Sequence, residues 1–158
     1  MTTETASRPT HSLAKGLAAG LIAGIVATAA RSFAEKLYPP RTHGEPEPPT
    51  ILAEKIAGRS LEQDTRITAT ETIHWSFGAA AGAAYGAIAE YYPPITERNG
   101  ANFGMTLMAL THHSALPALG LAAEPEEQTA REKSSEVVTH VVFGVVTETV
   151  RRIVRSML

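Results

Sequence analysis

The residues of this 158-residue chain that could do chemistry are imidazoles and carboxylates set into apolar stretches. In SSEVVTHVVFGVVTETVRRIVR, residues 134–155, Glu136, His140, Gly144, Thr147 and Arg151 fall on one helical stripe, and Val138, Val141, Val142, Val145, Val146 and Ile153 fall opposite. His74 lies near the start of another apolar stretch, His112 and His113 lie near the end of a third, and Arg31 and Glu35 close the first. Imidazole beside carboxylate supports three kinds of chemistry. One is a hydrogen-bonded cluster that fixes helix register. The second is a proton-responsive site, because histidine titrates near about pH 6.5 and a neighbouring carboxylate shifts it. The third is a His/Glu shell for zinc or iron, with Glu136 and His140 at i, i+4 and His74 and His112 completing it. Ferritin-like sites use Glu-x-x-His and more carboxylates than this chain supplies, so no metal ligand and no cofactor is assigned. Glu35, His74, His112, Glu136 and His140 form the expected pH-responsive set.

A second polar group, Glu90, Glu148, Arg151 and Arg152, is expected at the opposite end of the same helices. Glu148 with Arg151 or Arg152 is an i, i+3 or i, i+4 pair, which reads as interfacial anchoring. The chain has no Walker loop, dinucleotide fingerprint, G-x-S-x-G elbow or H-E-x-x-H, so no enzyme is predicted.

The elements that must position these residues are helices. Leu13 to Ala30 reads LAKGLAAGLIAGIVATAA, with Gly16, Gly20 and Gly24 on one face; Thr72 to Tyr92 repeats the spacing with Gly78, Gly82 and Gly86. In water an interior glycine costs a helix about 1 kcal/mol, whereas in lipid a small-xxx-small face lets two backbones approach closely. Trp75 and the Tyr91/Tyr92 pair sit where aromatic belts are expected. Residues 100–121 form an uncharged third stretch with Pro117 near its end, and 134–155 is the fourth. The spacing thus predicts an all-α fold, a four-helix transmembrane bundle packed through its glycines. Residues 1–12 read as a flexible tail, 13–158 as one membrane domain, and 39–71 as a polar loop that carries a short amphipathic helix over 50–58.

Composition bounds the alternatives. A net charge of −2 without a dense basic run argues against nucleic acid as a partner, and the absence of cysteine excludes disulfides and thiolate chemistry. Mean hydropathy is only −0.04 because the loops are polar and the spans are built from Ala and Gly. The weakly basic N-terminus and the absence of a clear cleavage site predict an uncleaved first span.

Antiparallel threading gathers Glu35, His74, His112, Glu136 and His140 at one end of the bundle, whichever way the bundle is oriented. Lys15 and Arg8 at the first span, with Arg151, Arg152 and Arg155 at the last, place both termini in the cytoplasm and the cluster at the periplasmic side. The expected partner is the lipid bilayer. A homo-oligomer stays open, since glycine faces serve contacts within and between chains alike. The rival reading is a soluble or membrane-associated all-α structural or assembly subunit.

The ordered series GLIAG at 20–24, AEKLYPPR at 34–41, His74 eleven residues before Tyr85 with AEYYP at 89–93, His112 five before Pro117, SEVVTH at 135–140 and TETVRR at 147–152 resembles the YagU-like bacterial inner-membrane proteins, the family of domain of unknown function 1440. The resemblance covers the four apolar stretches. It implies an integral inner-membrane protein and, more loosely, a link to acid tolerance. Glu35, His74, Glu90, His112, Glu136, His140 and Glu148 map onto family positions and His113 does not. The resemblance carries over no catalytic residue.

Overall fold

Ser12 starts the first helix: its hydroxyl accepts the Lys15 amide at 3.4 Å, and α1 then runs Leu13–Leu37 until the Tyr-Pro-Pro stop at 38–40. The computed structural model describes residues 11–41 and 44–158. Most of the expected N-terminal tail, residues 1–10, lies outside them, whereas His11 stacks on Tyr91 with ring centroids 5.7 Å apart. The next helix, α2, spans Pro48–Ala57 and is closed by Gly58 in the left-handed conformation, a turn that glycine makes without strain. Then α3 spans Gln63–Tyr91, and a 3-10 segment, Pro93–Gly100, holds Arg98 and Asn99 at positive φ. Helix α4, Ala101–Leu110, continues through a π turn at Thr111–Ala115 and a last α turn, Leu116–Ala118; α5 spans Ala130–Met157.

The described residues are all-α, with five helices. Two differences from the sequence reading have local causes. The stretch expected as a polar loop with one short helix holds, besides that helix as α2, the first turns of α3, because the polar run TRITATET keeps a helical backbone while α2 packs on it, with Thr50 and Thr70 hydroxyls 3.0 Å apart. The third apolar stretch is not one regular helix, because the π turn falls on the two histidines.

Helix α1 packs against α3 and α5, and α4 lies along α5. The α1–α3 contact is antiparallel and almost without side chains: Gly16 faces Gly86, Gly20 faces Gly82, and Gly24 faces Gly78. A Cβ on Gly16 would sit 2.7 Å from the Gly86 carbonyl oxygen, and one on Gly82 would sit 2.5 Å from the Gly24 Cα. Neither is tolerable without separating the helices. A second glycine contact was not anticipated. Gly104 meets the His140 backbone, and Gly100 meets Gly144, which seats α4 directly on α5.

Along α5 the buried face is largely polar, and aliphatic side chains of α1 and α5 face outward. Among the described residues the largest fully buried side chains are Tyr85, His140, Glu148, Thr28, Thr139, Thr147 and Ser135. Leu21, Ile22, Ile25 and Val26 of α1 and Val137 and Val138 of α5 are exposed. By length and composition one helix among the described residues, α1, qualifies to cross a membrane.

Candidate functional site

The period of α5 turns Glu136, Thr139, His140, Phe143, Gly144, Thr147, Glu148 and Arg151 inward, the face that the valine pattern assigns to the interior. At the upper end, defined as the one away from Ser12, the π turn presents His112 to Glu136, with His112 Nδ1 and Glu136 Oε1 2.8 Å apart. An extra residue in the turn re-aims the side chains that follow, and it separates His112, which is 6% exposed, from His113, which faces outward. The His140 ring stands edge-on to that of His112, centroids 5.0 Å apart, and its Nδ1–H donates to the Glu136 backbone carbonyl at 2.8 Å. Glu136 and His140 are 2% and 1% exposed. The core of the cluster is therefore one carboxylate and two imidazoles, sealed between α4 and α5.

The other two members of the expected set stand apart. Glu35 takes Nε and Nη2 of Arg31 on one carboxylate oxygen, each at 3.0 Å, so its partner is a guanidinium and not an imidazole. His74 Nε2 lies 3.3 Å from the Ser32 hydroxyl. Between these groups and His112 lies a cavity of about 510 Å³, bounded by α1, α2, α3 and the π turn. A smaller void of about 20 Å³ continues beneath it past Arg31, His74 and Phe77 to Thr28 and Gly78. Among the described residues no three His, Asp or Glu side chains converge to hold a metal ion, so a shell of His74, His112, Glu136 and His140 is not assembled.

At the lower end the expected group separates into two. Glu148, 2% exposed, accepts from Arg151 Nε at 2.7 Å and Nη2 at 2.9 Å, and from the Tyr85 hydroxyl at 2.7 Å. This corrects the anchoring expectation: the carboxylate is interior, and three hydrogen bonds from two side chains satisfy it. The Arg152 side chain is 55% exposed and only 3.5 Å from Glu148 at its closest, so it is peripheral. Glu90 pairs instead with Arg155 and accepts the Ser12 amide at 3.0 Å. Lys15 reaches the Leu158 carbonyl, so the start of α1 and the end of α5 are tied at one place. Tyr85 and Arg155 were missed. Tyr85 follows Gly82 by three residues and Gly78 by seven, so its place on the glycine face was readable; Arg155 carried no such signal.

Between the two polar ends, Phe103 and Phe143 fill the interior, ring centroids 6.1 Å apart, with Tyr85 4.3 Å from Phe103. A family model described as a protein of unknown function (DUF1440) matches residues 22–149. The chain belongs to this family. No curated protein and no solved structure matches it. The DUF1440 match contains the whole upper cluster, His74, His112, Glu136 and His140, together with Tyr85, Glu90 and Glu148 of the lower one. Arg151 and Arg155 lie just past its end.

Proposed function

We propose that this protein is a four-span inner-membrane protein whose upper His/Glu cluster responds to acid on the periplasmic side and contributes to acid tolerance. The observation that carries the reading is the largely polar buried face of α5, with aliphatic side chains of α1 and α5 outside. Water would reverse that distribution, whereas lipid favours it: a centred charge on a lone helix costs about 2.5 to 3.5 kcal/mol on insertion scales, so such groups turn inward and pair. Lys15, Arg98, Arg151, Arg152 and Arg155 cluster at the end where α1 starts and α5 finishes, which supports cytoplasmic termini.

The acid response follows from the composition of the cluster. Glu136 is its single interior carboxylate, and it faces His112 and His140 with Arg31, Glu35 and His74 contributed by α1 and α3 and His113 next along the chain. His112 Nδ1 and Glu136 Oε1, 2.8 Å apart, form an ion pair only when carboxylate and imidazolium are present together. A proton added to His140 faces His112 and Arg31, and its Nδ1–H is already spent on the Glu136 backbone carbonyl. Acid therefore loosens the upper end of the bundle. Thermal unfolding of the purified protein, followed from about pH 7 down to about pH 4, should show stability falling for the wild type. The variant carrying His74→Gln, His112→Gln and His140→Gln should start lower and fall less. Parallel profiles for the two proteins would remove the acid-response reading.

A further inference from the structure

We infer that the cavity between α1, α2, α3 and the π turn binds a monoanionic amphiphile, a single carboxylate or phosphate group carried on an apolar body. Its volume of about 510 Å³ is that of a small-molecule site. Its polar lining is graded by burial. Arg31, His74 and Ser32 are half-buried beside the buried His112, while Glu45, Glu47 and Glu71 are exposed and share the lining with Lys36 and Arg41. Leu52, Ile73, Phe77, Leu116 and Leu121 make its apolar walls.

Arg31 is the decisive group. A guanidinium has five N–H donors, and Arg31 directs Nε and Nη2 to one oxygen of Glu35 while its side chain also lines the cavity. The remaining donors form a ready fork for a second anion, and a half-desolvated fork makes charge-assisted bonds about twice as strong as neutral ones. An ammonium ligand would meet this cation at close range. A neutral apolar ligand would leave its donors unmet. A nucleotide or other polyanion would meet a mixed lining in which the acids Glu45, Glu47 and Glu71 outnumber the cations Lys36 and Arg41. A single negative charge on an apolar chain satisfies all three conditions, the charge on Arg31 with His74 and Ser32 beside it and the chain against Phe77, Leu52 and Leu116. The site shares His74 and His112 with the acid-responsive cluster but requires no change of protonation, so either reading stands without the other.

The test uses the full chain in phosphatidylcholine nanodiscs and octanoate as the probe, with octanol and octylamine as comparators of equal length. Binding is read as the saturable signal over protein-free nanodiscs, by calorimetry and by the fluorescence of the single tryptophan, Trp75, whose indole N–H donates to the lining residue Glu71 at 2.9 Å. Octanoate should saturate one site, with octanol and octylamine weaker by about tenfold or more. Arg31→Gln should weaken octanoate by a similar factor, and Leu52→Trp, which fills the cavity from α2 away from the buried cluster, should abolish the calorimetric binding signal while leaving the unfolding midpoint in place. Equal affinity for octanol, tighter binding of octylamine, or an unchanged Leu52→Trp variant would overturn the proposal. Repeating the titration in phosphatidylglycerol nanodiscs separates the two sources of the anion. Loss of octanoate binding there identifies a lipid headgroup as the occupant, and retention identifies a free organic acid.

Discussion

Tyr85 shows what a single residue does in an interior of this kind. A tyrosine near the end of an apolar stretch reads as an interfacial anchor, and its neighbours Tyr91 and Tyr92 are indeed exposed. Tyr85 instead lies wholly inside and gives its hydroxyl to Glu148, sharing that carboxylate with Arg151. Replacing it by phenylalanine keeps the ring against Phe103 and removes only the donor, so Glu148 is left one bond short in a dry site. Tyr85→Phe should cost about 1 to 3 kcal/mol of stability, measured by denaturant or thermal unfolding in detergent, and Tyr85→Phe combined with Glu148→Gln should recover part of the loss. At this scale the sequence was informative where a period operates. The stripe Glu136, His140, Gly144, Thr147 and Arg151 is fixed by 100° per residue alone. It was uninformative where partners lie far apart along the chain, as with Glu90 and Arg155, because nothing local encodes a pairing across helices.

Among the elements, the α1–α3 pair was legible because two matched glycine series can only serve close backbone approach. The α4–α5 contact was harder to read, since α5 offers the single Gly144 and its partners Gly100 and Gly104 sit on either side of the helix start. Gly20→Leu and Gly82→Leu should each separate α1 from α3 and abolish cooperative unfolding, whereas Ala80→Leu, on the exposed side of α3, should leave the midpoint unchanged. An unchanged midpoint for Gly82→Leu would mean that the helices do not meet through these faces. The π turn had no sequence signal. It accommodates one residue more than a regular helical turn, and of the two adjacent histidines it holds, His112 is buried and His113 exposed.

For the molecule as a whole, the exposed aliphatic surface makes a demand that can be checked by fractionation. Carbonate or high salt should leave the protein in the membrane pellet; release into the supernatant would favour the alternative of a peripheral or soluble assembly subunit. The all-α class followed from the sequence, whereas the beginning of α3 did not, because hydropathy falls at Thr72 while the helix persists back to Gln63. The tie at the lower end bears on how such a chain is made. Glu90 receives the Ser12 amide from the start of α1 and its cation from Arg155, sixty-five residues further on. While the ribosome is still adding those residues, α1 and α3 can already zip through their glycines, and the carboxylate they enclose has as yet no counter-ion. A half-synthesised chain thus differs from a finished one by a carboxylate that still lacks its cation.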